Sequence, residues 1–166
     1  MFFFIVQVAA AKAAGVKNVD VYLFPCPSQP AAEQVAAMLR GLADVEWDFL
    51  WLDIETNPSR GCGWGNDTAA NCKFVDEMLN SAAGLGVGTG VYTSHFEWGA
   101  TVGQGCRSAS ALPLWYAGYD KPPNPSCTDF QTFGGWPRAY AHQYADTATG
   151  VPAQCGLPAA DSSVVC

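Results

Sequence analysis

Short apolar runs alternate with stretches of helical period along most of this chain, and its fold has to satisfy that alternation. "VKNVDVYLFPCP" carries Val19, Val21, Leu23 and Phe24 in a run stopped by Pro25 and Pro27, which reads as a buried strand over 19–24. "SQPAAEQVAAMLRGL" follows as a helix, with Ser28 as a candidate N-cap, Pro30 in the first turn, and Val35, Met38, Leu39 and Leu42 on one face. "WDFLWLDIE" is a second strand, and "NDTAANCKFVDEMLNSAAGLG" a long helix with Phe74, Met78, Leu79 and Leu85 inward and Gly86 at its end. "TGVYTS", "LPLWYAGY" and "AYAHQYAD" read as three further strands, with a short helix "HFEWGATVG" after the first of them. Parallel neighbours need a crossover connection, so this order predicts mostly parallel strands under covering helices, an α/β fold. Residues 120–138 are rich in Pro and Gly and show no helical period; no repeat or linker divides the chain, so 1–166 reads as one domain.

Charge and composition exclude several partners. Fifteen acids against eight bases leave a net charge of −7 without any basic run, so a polyphosphate backbone would be repelled and nucleic acid is not a partner. The apolar runs fall far below the roughly 18 residues of a membrane span, which predicts no membrane partner. Seven cysteines with no CxxC, and with His95 and His142 at no ligand spacing, argue against zinc and for disulfides in an oxidising compartment. Seven is odd, so at least one thiol lacks a partner within the chain. The start, "MFFFIVQVAAAKAAG", has the apolar stretch and small residues of a secretory signal without its basic region; the competing reading is a helix, "QVAAAKAAG", capped by Gly15. Aromatic residues make up 13% of the chain, six of them Trp; core filling accounts for most, and the excess suits stacking against sugar rings.

The second strand ends unusually, in "WLDIETNP", with Asp53 and Glu55 two residues apart. On a strand, residues i and i+2 face the same side about 6.6 Å apart. The carboxyl ends of parallel barrel strands are where catalytic side chains gather. Mutual repulsion and burial would raise the pKa of at least one of the two, leaving a protonated acid able to donate. Such a pair suits glycoside cleavage, in which one group protonates the leaving oxygen and another stabilises positive charge on the sugar. The competing reading is a solvated strand end whose acids cap the next segment.

"VDVYLFPCP", "WLDIE", "GVYTS" followed by Trp98, "LPLWYAGYD", "FGGW" and "HQYAD" together resemble, in order and spacing, the lysozymes of glycoside hydrolase family 25, notably the invertebrate and protist kind. The likeness runs from about Gln7 to Asp161. It implies a β-1,4-N-acetylmuramidase acting on bacterial peptidoglycan, built on an irregular, TIM-like β/α barrel and needing no cofactor and no metal. Glu55 would be the general acid and Asp53 its partner, with Asp161 near the place of the family's last acidic site residue. Tyr22, Tyr92, Trp115, Tyr116 and Gln143 would contact substrate, although Tyr22 and Trp115 could equally pack in the barrel and Gln143, before Tyr144, could equally be structural. His95 and His142 match no catalytic role. Such a protein would be monomeric and secreted or lysosomal/phagosomal.

One departure from the family pattern stands out. Members begin with a strand carrying an Asp in a D-x-S motif and then a second strand, and this chain has neither before "QVAAAKAAG". The barrel is therefore predicted to be incomplete, with "MFFFIV" a substitute start, one carboxylate missing and the edge of strand 19–24 unpaired. Cys62 with Cys72 and Cys106 with Cys127 are the preferred pairs, being close in sequence across loops. Two other functions stay open: a noncatalytic peptidoglycan- or chitin-binding remnant, and a chitinase-like enzyme in which the substrate's own acetamido group attacks.

Overall fold

The structure is a computed structural model that describes residues 2–119, 122–146 and 160–166, the first five of them as backbone alone. Its elements in order are α1 (Phe2–Ala13), β1 (Val21–Leu23), α2 (Ala31–Gly41), β2 (Leu50–Asp53), α3 (Thr68–Gly84), β3 (Thr89–Thr93), α4 (His95–Thr101), β4 (Leu114–Ala117), β5 (Ala141–Ala145) and β6 (Ser162–Val165). The six strands form one sheet in sequence order, parallel from β1 to β5, with β6 antiparallel on the far edge. The sheet curls. Residues of β1 and of β6, its two edges, line a common cavity of about 630 Å³ on the concave face. The architecture is thus a half-barrel with helices on its convex side, as the strand-helix alternation predicts.

Side-chain alternation divides each strand between two environments. Leu50, Leu52 and Ile54 point to the convex side and are fully buried with Val35, Val75, Met78 and Val91 beneath α2 and α3. Burial of each such side chain is worth about 1.5–3 kcal/mol, so this layer carries most of the fold's stability. Trp51 and Asp53 face the other way, into the curl. Trp51 lies across β3 at Gly90, where a Cβ would come within 2.5 Å of the Trp51 ring and 2.8 Å of the Pro113 carbonyl oxygen. Only a residue without a side chain leaves room there.

Several local expectations are corrected. α1 closes at Ala13 and is capped by Gly15 as expected: its φ of +86° and amide bond to Lys12 O, with Val16 N bonded to Ala11 O, form a Schellman cap. Ser28, however, does not cap α2: Pro30 occupies the N-cap, and no side chain bonds the first turn. Leu85 is 55% exposed because α3 closes at Gly84, one residue before its buried stripe of Val75, Met78, Leu79 and Ala82 could include it. β6 was not foreseen, since four residues with alternating half-burial give a weak signal.

The disulfides are also corrected. The bonds are Cys26–Cys62, Cys72–Cys106 and Cys127–Cys166, not Cys62–Cys72 or Cys106–Cys127. Sequence separations of 36, 34 and 39 residues explain why. The first two join points one strand-helix unit apart, which a parallel sheet brings together, and the third joins the β4–β5 connection to the end of antiparallel β6. Each closure of this length typically stabilises by about 2–4 kcal/mol. Cys155 lies outside the described residues, and the three bonds use every other cysteine. Among the described residues no helix is long and apolar enough to cross a membrane.

Candidate active site

The paired acids stand where the strand pattern places them. Ile54 continues the ladder past β2, its amide donating to Tyr92 O at 2.9 Å and its carbonyl accepting from Thr93 Oγ1 at 2.7 Å. With Ile54 locked into the convex core, Asp53 and Glu55 on either side both emerge on the concave face. A hydrogen bond joins their carboxyl groups. Asp53 sits deeper, and its Oδ1 is buried with no hydrogen-bond partner among the described residues. A charged carboxylate in that position would be costly, whereas a neutral acid is tolerated.

Titration follows from this geometry. Burial, followed by the negative charge and hydrogen bond of Glu55, pushes the Asp53 carboxyl up from 3.8 to about 8. Glu55 is also held above its ordinary range, first by burial and then by the charge of Glu97, while the bond from Asp53 pulls the other way. No basic group contributes to either shift. Near neutral pH the pair therefore retains a proton that ordinary carboxyls would have lost, held on Asp53. Such a pair can donate a proton to a leaving oxygen.

A polar network lies across the concave face from the pair. Gln143 Oε1 accepts from the hydroxyls of Tyr92 and Tyr119, the latter at 2.8 Å, and Gln143 Nε2 donates to Asp161 Oδ2 at 2.9 Å. Both tyrosines are raised in pKa, chiefly by burial, with Glu55 adding to each, so they are firmly neutral donors. Below this network, toward the amino ends of the strands, Trp51 packs edge-on to Trp115 at 5.6 Å and Trp115 to Tyr92 at 4.9 Å. Tyr22 and Trp115 line the 630 Å³ cavity there. A larger cavity of about 760 Å³ lies near Trp136 and the Cys127–Cys166 bond. No Asp or Glu side chain lines it.

The structure thus brings Asp53, Glu55, Tyr92, Trp115, Gln143 and, through Gln143, Asp161 onto one face, with Tyr22 on the neighbouring edge strand. Tyr116 is not among them. Its register partners Thr93 and His142 lie on the convex side, where it stacks on His142 at 5.1 Å and packs beside Phe130. His142 is buried with its ring nitrogens 2.6 and 2.7 Å from the carbonyl oxygens of Ser126 and Gly118, as expected of a structural residue. Two members escaped the sequence reading. Tyr119 sits just past β4, and Glu97 in the first turn of α4 accepts from Thr56 N at 2.7 Å and Thr56 Oγ1 at 2.8 Å. A readable signal for Glu97 existed: the first turn of a helix that follows a parallel strand lies on the same end of the sheet as that strand's carboxyl terminus.

A curled parallel sheet with a proton-holding acid pair at its carboxyl edge is an arrangement that glycoside cleavage can use. Comparison with known proteins narrows this. The description of the "Lysozyme-like protein 1" family matches residues 3–144. "Probable GH family 25 lysozyme 3" of Dictyostelium discoideum is 40% identical over 155 residues, covering 90% of this chain and 30% of that protein. "Lysozyme-like protein 5" of Caenorhabditis elegans is 36% identical over 156 residues, covering 91% of this chain and 68% of that protein. Among solved structures, a muramidase from Acremonium alcalophilum superposes with a TM-score of 0.72 at 22% identity, over 97% of this chain and 73% of that one. The chain belongs to the glycoside hydrolase family 25 lysozymes. It spans 30%, 48% and 49% of three of its Dictyostelium discoideum relatives.

Proposed function

We propose that this chain carries the catalytic half-site of a muramidase that cleaves β-1,4 bonds of bacterial peptidoglycan. The observation that carries the reading is the hydrogen-bonded, proton-retaining pair of Asp53 and Glu55 on an aromatic concave face. Glu55 is the less enclosed of the two and hands the proton shared by the pair to the leaving glycosidic oxygen. Asp53, neutral behind it, holds that carboxyl in place. Asp161, oriented by Gln143, and the substrate's acetamido group are the candidates for stabilising charge on the sugar. Tyr22, Tyr92 and Trp115 supply faces and hydroxyls for the rings, while Tyr116 supports the wall from behind. Three disulfides fit a secreted or lysosomal/phagosomal setting, in which the protein acts as a monomer without a metal or cofactor.

The test is wall lysis with the Glu55→Gln protein, which keeps shape and most hydrogen bonding. Loss of about 10²–10⁴-fold in rate with wall binding retained is the expected result for a general acid. Undiminished lysis would remove Glu55 from the chemistry, and release of products from chitin oligomers alone would favour the chitinase-like alternative. A second reading, a wall-binding module without catalysis, is favoured by one observation: β1 pairs only with β2 among the described residues, leaving the curl open beside Tyr22. Binding without lysis in the unaltered chain would select it.

A further inference from the structure

Glu97 occupies a position that ordinary helix capping does not explain. The start of α4, Ser94-His95-Phe96-Glu97, has the Ser-x-x-Glu form of a capping box, in which the Glu turns back to the amide of the N-cap residue. Half of that arrangement is present, since Ser94 Oγ accepts from Glu97 N at 3.0 Å. The other half is diverted. One oxygen of Glu97, Oε2, instead accepts both the amide and the hydroxyl of Thr56, 41 residues earlier in the chain.

Thr56 directly follows Glu55, so the amide held by Glu97 belongs to the same peptide unit as the Glu55 carbonyl. That carbonyl is held in turn by Trp64 Nε1 at 2.8 Å, and the preceding carbonyl, of Ile54, by Thr93 Oγ1 at 2.7 Å. Glu55 has just left the ladder of β2. Without these three contacts its backbone would be an unanchored strand end. Trp64 and Thr93 hold it with neutral donors, and Glu97 with a charge-assisted pair, the stronger kind.

We propose that Glu97 is the positioning residue of this site: by holding both donors of Thr56, it fixes the peptide after Glu55 and so the direction in which the Glu55 carboxyl enters the cleft. The inference rests on the reading of Glu55 as proton donor. It carries a second consequence, because the clamp is itself an anion facing Glu55. The titratable groups around Glu55 are Asp53 on its own strand, Tyr92 on β3, Tyr119 after β4 and Glu97 on α4. Glu97 is the one whose charge raises Glu55 most. The same carboxylate thus fixes where the donor sits and adds to burial in raising the pH up to which it keeps its proton.

Two substitutions separate these effects. Glu97→Gln keeps the length of the arm and an oxygen for both Thr56 donors but removes the charge. Glu97→Asp keeps the charge but withdraws it by one methylene. The measurements are the titration of the Glu55 side-chain carboxyl by carbon NMR and hydrogen exchange of the Thr56 amide, with exposed Glu77→Gln on α3 as control. In Glu97→Gln the Glu55 midpoint should move to lower pH while the Thr56 amide keeps its protection. In Glu97→Asp that amide should exchange about tenfold faster or more. An unmoved midpoint in the first protein, or unchanged exchange in the second, overturns the proposal; so does an equal shift in the control. Neither measurement requires turnover. Continued lysis by Glu55→Gln would refute the reading of Glu55 as donor, while the titration and exchange data would still decide whether Glu97 clamps the peptide.

Discussion

The two faces of one sheet do different work in this protein. On the convex face Leu50, Leu52, Ile54 and Val91 are wholly buried under α2 and α3, and no acid interrupts the layer. On the concave face the neighbouring residues of the same strands are Trp51, Asp53 and Tyr92, with a carboxyl kept neutral and hydroxyls converging on Gln143. The division lies within single strands, not between domains. A fold of this size can hold an unfavourable acid pair because the stabilising residues are one position away and firmly packed.

This contrast can be broken from either side, and the largest effect should come from the convex face. Leu52→Ala leaves a cavity under α2 and α3 and should cost about 2–5 kcal/mol in denaturant unfolding. It should leave the Glu55 titration where it is. A large shift in that titration would mean that the two faces are not independent.

Asp53→Asn tests the concave side with the opposite sign. Because the folded-state pKa is raised from 3.8 to about 8, the native protein binds more protons than the unfolded chain between those values. Stability is then greatest at the acid end of that window and is lost as pH rises toward 8. The Asn protein should be more stable than the parent at pH 8, by on the order of a few kcal/mol, and should show a flatter pH dependence. Equal stability of the two proteins at pH 8 would show that Asp53 is not held neutral.

Smaller effects should follow from single polar bonds. Gln143→Leu leaves the Tyr92 and Tyr119 hydroxyls without their acceptor and removes the bond to Asp161, at an expected cost of about 1–3 kcal/mol. Its effect on lysis should exceed its effect on stability, since the network faces the cleft. Thr93→Val removes the bond to Ile54 O and should cost about 1 kcal/mol. Thermal unfolding of the two proteins in one buffer checks the order.

Much of this architecture was readable from the chain, because its period is local. The apolar run 47–55 is bounded by turn residues, and strand alternation alone places Asp53 and Glu55 on one side with Ile54 on the other. The alternation of strand and helix carried the parallel sheet in the same way. Individual site residues were less readable where the face of a strand had to be chosen. Trp115 and Tyr116 are adjacent and equally aromatic, and only the register with Tyr92 and with Thr93 separates a cleft residue from a wall residue.

What no local pattern could supply are the contacts made across strand-helix units. Cys26 finds Cys62 and Glu97 finds Thr56 because parallel strands return each unit beside the last, so residues 36 and 41 positions apart meet at one end of the sheet. Sequence proximity favoured the wrong cysteine pairs for the same reason. Composition and periodicity report what each segment buries, and so they establish the strands, the helices and the side on which the acids emerge. Partnership between segments depends on the curl and register of the whole sheet, and these arise only when all the strands are packed together.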